Sequence, residues 1–353
     1  MLQGRGGKPE RSLVTGAGGF IGHHLVKYLV LKGYWVRGVD LSHPEYERSP
    51  AHEFETVDLR RSEVCLTVTR DVSQVYHLAA DTGGIGSIKT ACAEVARNNT
   101  SIDLQMIDAA RLNGVERFLF TSSTCVYPQY LQNGANGRPL REDDAWPADP
   151  AEGYGLEKLY MEKLCQYYAE DFGLLTRVAR FQNVYGPLGS HHGGRETAPA
   201  AICRKIALAD AGATIDVWGD GNQTASFLYV GDCIEGLHRL MLADCPIPLN
   251  LDTGQAVTLD ELVRTVAAVA GKTVRIRHNR TMPQGVRGYR SDNTLVRHVL
   301  GWEPRVSLAE GLARTYAWVA RQIAPDPARI QLRTAAPASA TGRRPRASII
   351  TAT

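Results

Sequence analysis

The sequence lacks any Cys-x-x-Cys pair: its seven cysteines are scattered at 65, 92, 125, 165, 203, 233 and 245. That scatter argues against a zinc site and a disulfide framework, and points to a reducing compartment. No apolar run approaches the length of a membrane span. The opening residues, MLQGRGGKPERS, carry no apolar leader segment, so no secretory signal is expected and a cytoplasmic location is. Charge of one sign is scarce as well. A formal net charge of +3 over 353 residues, part of it in the C-terminal tail, offers no broad basic surface for nucleic acid. Internal repeats are absent. What remains is 44% hydrophobic, enough to bury a sizeable core.

The first half alternates short β-branched runs with helical spacings, the pattern of a parallel sheet covered by helices. Strands are expected at residues 12–15, 34–40, 53–58, 74–79, 117–122 and 175–181. Phe20, Leu25, Tyr28 and Leu29 recur at helical spacing between the first two. A long helix is expected from about residue 90 to the Asn113-Gly114 stop, and another over 154–172. Beyond Gly186-Pro187 the pattern loosens into shorter elements with many Gly and Pro. The fold class is therefore α/β: a doubly wound parallel sheet with a smaller mixed α/β substrate-binding domain. Residues 1–182 are expected to form mainly the dinucleotide-binding domain and 183–324 mainly the substrate domain, interleaved with the first. From residue 325 the chain is rich in Ala, Pro, Arg, Ser and Thr and reads as a disordered tail.

Thr15-Gly16-Ala17-Gly18-Gly19-Phe20-Ile21-Gly22 joins the first strand to the first helix. Gly16 permits a tight turn, Gly19 a close approach of backbone to a pyrophosphate, and Gly22 close packing of helix on strand. The free N–H groups and the helix dipole favour the phosphate charge. A glycine-rich turn alone is weak evidence, since incidental glycines are common, but here it sits in the strand–turn–helix context of a Rossmann-type fold. Asp40 ends the second strand, where a carboxylate holds ribose hydroxyls and repels a 2′-phosphate, so NAD is expected over NADP. Asp58 is placed to meet the adenine edge, and Phe20, Ile21 and Leu78 complete the cofactor-binding set.

Tyr154 and Lys158 are four residues apart and share one helix face. An ammonium close to a phenol favours the phenolate and makes tyrosine a usable base near neutral pH. Ser123, at a strand end, is a donor for a substrate oxygen. Each has a bland reading alone, as a surface lysine, a half-buried tyrosine or a strand-end serine. Behind a dinucleotide loop the three together read as a catalytic set.

These residues, with Leu78-Ala79-Ala80, resemble the extended short-chain dehydrogenase/reductases. In that family the Ser–Tyr–Lys set removes a hydroxyl proton while NAD takes the hydride. A further series is similar to the GDP-mannose 3,5-epimerase family from about Ser12 to Ile323. It comprises the stretches 81–86 (DTGGIG), 122–128 (SSTCVYP), 144–148 (DAWPA), 193–196 (GGRE), 198–201 (APAA) and 285–288 (GVRG). The resemblance implies epimerisation of GDP-mannose through a 4-keto sugar, inverting carbon 5 with or without carbon 3, to GDP-L-gulose or GDP-L-galactose. It also implies a homodimer, and Cys125 as the base acting on the ring carbons. The implied substrate contacts are Gly83, Gly84, Ser123, Cys125, Asn183, Arg195, Lys205 and Arg287.

Two departures stand out. Thr197 occupies the place of the family's second proton-transfer group, a lysine, and a hydroxyl cannot titrate near neutral pH. His191 and His192 lie earlier in the same loop, His192 where the family has another lysine, and His192 is the expected replacement acid. The bland alternative is a pair of solvent-exposed loop histidines. Ala225 stands where the family has an arginine near the diphosphate, leaving Arg287 and Lys205 for that task. A carbon-4 epimerase or dehydratase acting on another nucleotide sugar is the same-class rival, and an NAD-sensing binding protein without catalysis is the rival from another class. No metal is expected.

Overall fold

The computed structural model describes residues 9–81, 92–132, 138–150, 152–181, 183–193, 196–281, 288 and 290–324. The expected tail lies outside them. The chain runs β1 (Arg11–Thr15), α1 (Phe20–Leu31), β2 (Trp35–Asp40), β3 (Glu53–Thr56), α2 (Ser62–Val68), β4 (Gln74–His77), α3 (Cys92–Leu112), β5 (Arg117–Ser123), α4 (Glu152–Phe172) and β6 (Leu175–Phe181). It continues with β7 (Val184–Tyr185), α5 (Ala198–Leu208), β8 (Thr214–Trp218), β9 (Thr224–Ser226), β10 (Leu228–Tyr229), α6 (Val230–Leu242), β11 (Leu249–Asn250), β12 (Ala256–Thr258), α7 (Leu259–Val269), β13 (Arg275–Asn279), α8 (Thr294–Leu300) and α9 (Leu308–Ile323).

Strands such as Leu13-Val14 and Phe118-Leu119-Phe120 are apolar on consecutive residues because helices cover both faces of the sheet. The seven-stranded sheet has the order β11-β6-β5-β4-β1-β2-β3, and all of its pairings are parallel. This is the doubly wound topology, and the order reverses between β1 and β4, where such sheets bind ligands.

On one face Leu25, Val26 and Leu29 of α1 meet Cys233, Ile234, Leu237 and Leu240 of α6. On the other, Cys65 of α2, Met106 and Ile107 of α3, and Met161 and Cys165 of α4 cover Leu13, Val75 and Phe118. A third core, built from Ile206 of α5, Val217 of β8, Leu262 and Val266 of α7 and Leu312 of α9, forms the second lobe. Truncating any one of these buried leucines to alanine costs about 2–5 kcal/mol.

Two expected strands stop short, for local reasons. The strand expected to reach residue 58 ends at Thr56. The strand expected to reach 79 ends at His77, because the Leu78 and Ala79 N–H groups donate to Thr15 Oγ1 and not to a neighbouring strand.

Candidate active site

Gly16 has φ +69°, a conformation open to glycine, and starts the turn after β1. A Cβ on Gly22 would lie 2.0 Å from the Gly16 carbonyl oxygen, so only glycine lets α1 begin this close to the turn. Gly19 precedes α1 without a side-chain cap, and no acidic residue occupies the first helical turn. The first N–H groups of α1 are left for a ligand anion. Asp40 stands beside them: its Oδ2 accepts from Gly18 N at 2.9 Å and its Oδ1 from Ser42 N at 3.2 Å. A cavity of about 300 Å³ opens here, bounded by Gly18, Phe20, Ser42, Glu45, Tyr46 and Leu188. Ile21 follows Phe20 in the first turn, and Leu78, just after β4, lies against Gly16 of the glycine turn. Asp58 is engaged within its own turn, accepting from Arg60 N at 3.0 Å and pairing with Arg60 Nη2 at 2.6 Å.

Ser123 ends β5 and caps a short 3-10 turn, its Oγ accepting from Cys125 N at 3.2 Å. A Cβ on Gly155 would fall 2.2 Å from the Cys125 carbonyl oxygen. Glycine there lets the start of α4 press on this turn, which brings Tyr154 beside Ser123 and Cys125. Lys158, one turn on, is buried. Its Nζ lies 3.5 Å from Asp103 Oδ2 and 3.5 Å from Glu157 Oε1, and 5.9 Å from the Tyr154 ring centre. Burial works against the ammonium, but Asp103, Glu157 and Tyr154 together outweigh it and hold the lysine pKa above its ordinary value.

Tyr154 corrects an expectation. Burial pushes its phenol up to about 12, with Cys125 and Glu157 adding to the rise, while Lys158 and a hydrogen bond with Ser123 pull it down. The lysine acts in the expected direction, yet desolvation of the phenolate is the larger effect.

Several buried groups behind this set escaped the sequence reading. His77 Nε2 lies 2.9 Å from Asp103 Oδ1 and its Nδ1 2.8 Å from Thr15 Oγ1, a chain that ends at Lys158. Farther along α4, Glu162 takes the Ser122 hydroxyl at 2.5 Å and the Arg180 guanidinium at 2.8 and 2.5 Å. Asp103 and Glu162 thus fasten α4 at two levels, to α3 and to the sheet.

The sequence profile of the NAD dependent epimerase/dehydratase family matches residues 12–250. The chain belongs to that family. NAD is its cofactor, and the uncapped α1, the glycine turn and the Asp40 carboxylate fit it. GDP-mannose 3,5-epimerase of Arabidopsis thaliana is 44% identical over 318 residues, which cover 90% of this chain and 84% of that protein. GDP-mannose 3,5-epimerase 1 of Oryza sativa subsp. indica is also 44% identical, over 89% of this chain and 82% of that one. The resemblance read from the motifs therefore extends over nearly the whole chain. Among solved structures, UDP-glucose 4-epimerase of Thermotoga maritima with UDP-glucose superposes with a TM-score of 0.80 at 27% identity, covering 89% of this chain and 99% of that one. UDP-glucose 4-epimerase of Thermus thermophilus with NAD gives 0.75 at 27%, covering 88% and 98%.

In this NAD-dependent epimerase-family chain the substrate-side candidates are more dispersed. Asn183, at φ +47°, donates to the Ser226 carbonyl at 3.1 Å. Lys205 donates to the Asp216 carbonyl at 2.7 Å, and burial lowers its pKa. Thr197 is the residue before α5 and makes no cap bond there. Ala225 pairs with Val257 between β9 and β12. His192 is exposed, 4.0 Å from Glu45 and packed edge-on to His191. His191 is buried, 3.3 Å from the Tyr46 hydroxyl and against Trp318, so it joins the loop after β2 to α9. These contacts put the two histidines on the side of the α1 cavity, and none of them reaches Cys125 or Tyr154. Gly83, Gly84, Arg195 and Arg287 lie outside the described residues. Among the described residues no group of three His, Cys, Asp or Glu side chains is placed to hold a metal ion.

Proposed function

We propose that this chain epimerises GDP-mannose through a 4-keto intermediate, inverting carbon 5. The observation that carries this reading is half-buried Tyr154 and buried Lys158 set beside Ser123 and Cys125 in a chain 44% identical to GDP-mannose 3,5-epimerases. Bound in its oxidised form, NAD supplies a reversible acceptor for two electrons and a positive charge. Tyr154 takes the proton of the carbon-4 hydroxyl, Ser123 donates to the same oxygen, and Lys158 stabilises the phenolate. A ketone at carbon 4 makes the neighbouring C–H bonds acidic, because the carbanion delocalises as an enolate. Cys125 removes the carbon-5 proton. His192 is the proposed acid for the opposite face, on the ground of its titratable ring five residues before Thr197. With threonine at 197, one proton-transfer group is missing, which favours GDP-L-gulose over inversion of both centres. Gly83, Gly84, Asn183, Arg195, Lys205 and Arg287 are the proposed substrate contacts, Asp40 and Asp58 those of the adenosine.

Incubation with GDP-mannose in deuterated water, followed by NMR of the sugar, tests this directly. Deuterium is expected at carbon 5. A sugar recovered without deuterium at carbon 5 or carbon 3 defeats the reading and favours a carbon-4 epimerase.

The units proposed for cofactor and substrate remain about 1–182 and 183–324. A homodimer is proposed on the exposed apolar row Leu156, Tyr160 and Tyr167 along α4, 58%, 50% and 52% exposed. A cytoplasmic location is proposed because the cysteines are scattered without a Cys-x-x-Cys pair. No described helix is long and apolar enough to cross a membrane.

A further inference from the structure

Between the glycine turn and the catalytic lysine, the protons of the buried polar chain can be placed by counting. Thr15 Oγ1 accepts from Leu78 N at 3.1 Å and Ala79 N at 3.0 Å, which occupies both lone pairs. Its own proton therefore points to His77 Nδ1, 2.8 Å away. Nδ1 carries a lone pair, so the ring hydrogen is on Nε2, and His77 is uncharged. Nε2 donates to Asp103 Oδ1 at 2.9 Å, and Asp103 Oδ2 faces Lys158 Nζ at 3.5 Å. Asp103 is an acceptor at both oxygens, the arrangement of a carboxylate.

Glu157 differs. Its Oε1 is equally close to Lys158 Nζ, at 3.5 Å, but Lys158 and Asn99 are the polar groups that lower its proton affinity by hydrogen bonding, and neither meets its buried oxygens in full hydrogen-bond geometry. Two carboxyls thus face one buried ammonium. In a site of low dielectric, one cation with one anion is stable, and a second unsupported anion is not. The carboxyl with the poorer donors is the one that keeps a proton.

We propose that Glu157 is a positioning residue that stays protonated beside Lys158 and sets the charge felt by Tyr154, so that its ionisation strengthens the tyrosine's hold on its own proton. Lys158 and Tyr154 face it from its own helix, and Asp103 and Asn99 from α3. Cys125 acts on Tyr154 in the same direction as Glu157. Burial pushes the Glu157 carboxyl up to about 7, against Lys158 and with Asp103. The proposal rests on the reading of Tyr154 as the base of the reaction, and a readout free of substrate keeps the two separable.

The first test is the pH dependence of turnover in wild type and Glu157→Gln. Below the ionisation of the tyrosine, turnover rises about tenfold per pH unit. In wild type the rise flattens as Glu157 ionises, whereas in Glu157→Gln it continues. The ratio of variant to wild type is then constant below pH 7 and grows above it, by up to about tenfold per unit. A loss from repacking alone lowers the variant by one factor at every pH, and a ratio independent of pH overturns the proposal.

The second test is infrared spectroscopy of the substrate-free protein. Wild type should show the carbonyl band of a protonated carboxylic acid that fades through pH 7 and is missing from Glu157→Gln. Asp103→Asn should make that band fade at lower pH, because Lys158 must then take Glu157 as its counter-ion. Absence of a band removed by Glu157→Gln below pH 7 overturns the proposal, whatever the substrate proves to be. A band that titrates as expected in a chain that does not turn over GDP-mannose supports the proton on Glu157 and refutes only the proposed reaction.

Discussion

The start of α1 at the sheet and the starts of α7 and α9 in the second lobe are built on opposite principles. In the second lobe α7 begins with a capping box: Glu261 N donates to Thr258 Oγ1 at 3.1 Å, and Thr258 N to Glu261 Oε2 at 2.7 Å. α9 begins with Ser307, which accepts from Glu310 N at 3.3 Å. At the sheet, α1 begins with Gly19, uncapped and without an acid in its first turn. A side-chain cap is worth a few tenths of a kcal/mol over glycine, so α1 forgoes a little of the stability that α7 and α9 keep. The polar interiors differ in the same sense. The sheet side buries Lys158, Asp103, Glu157, Glu162 and Arg180, while ion pairs of the second lobe such as Arg277–Asp216 and Arg314–Glu310 are exposed. The lobe proposed to handle protons and phosphate buries charged groups, and the second lobe carries these ion pairs at its surface.

Four substitutions break or sharpen that contrast. Tyr154→Phe has the largest expected effect on turnover, a loss of at least the 10²–10⁴-fold associated with acid–base groups, with NAD binding and melting temperature nearly unchanged. Retention of substantial activity in steady-state assays would sink the role given to the phenol. Gly19→Asp turns α1 into a helix of the second-lobe kind. A Cβ there meets only the Gly16 carbonyl oxygen at 3.3 Å, so the chain should still fold, with a melting temperature equal or higher. Its carboxylate should occupy the place of the cofactor phosphate and abolish NAD binding in a calorimetric titration. Asp40→Ala should narrow the preference for NAD over NADP, weakening NAD by about ten- to a hundredfold, as expected for a charge-assisted hydrogen bond worth roughly 1.5–3 kcal/mol. Equal or tighter binding of NADP by wild type would contradict it. Thr258→Ala has the smallest effect, about 1 kcal/mol in denaturant unfolding, without change in NAD affinity. A change in NAD affinity there would show that the two lobes are not separable in this way.

Most of the first six strands were legible because parallel strands covered on both faces are unbroken apolar runs punctuated by glycine; β3, at the sheet edge, is largely exposed and holds one apolar residue, Phe54. β5 and β6 fall within a residue of their expected bounds. The two- to five-residue strands β7 to β13 were not legible. They pair across gaps as long as that between Thr214 and Arg275, and strands this short carry too little periodicity to stand out. Gly16, Asp40, Tyr154 and Lys158 could be found because spacing along the chain encodes them. His77 and Asp103 could not: they meet across 26 residues, a strand end against the middle of a helix, and no local pattern links them. The proton affinity of Tyr154 was hidden for a similar reason, since it is decided by burial more than by the lysine one turn away.

The return of the chain to the sheet has a consequence for how such a protein can change. After β7 and α5 the polypeptide comes back as α6 and β11, and α6 closes the apolar face formed by Leu25, Val26 and Leu29. A fragment ending at residue 181 would lack that cover and expose the face to water. The two lobes are therefore not exchangeable modules. The second lobe cannot be transplanted as one contiguous piece, nor released intact by a single cut between β6 and β7. New sugar specificity has to arise by replacing residues where they stand, on a chain that is stitched through its own core.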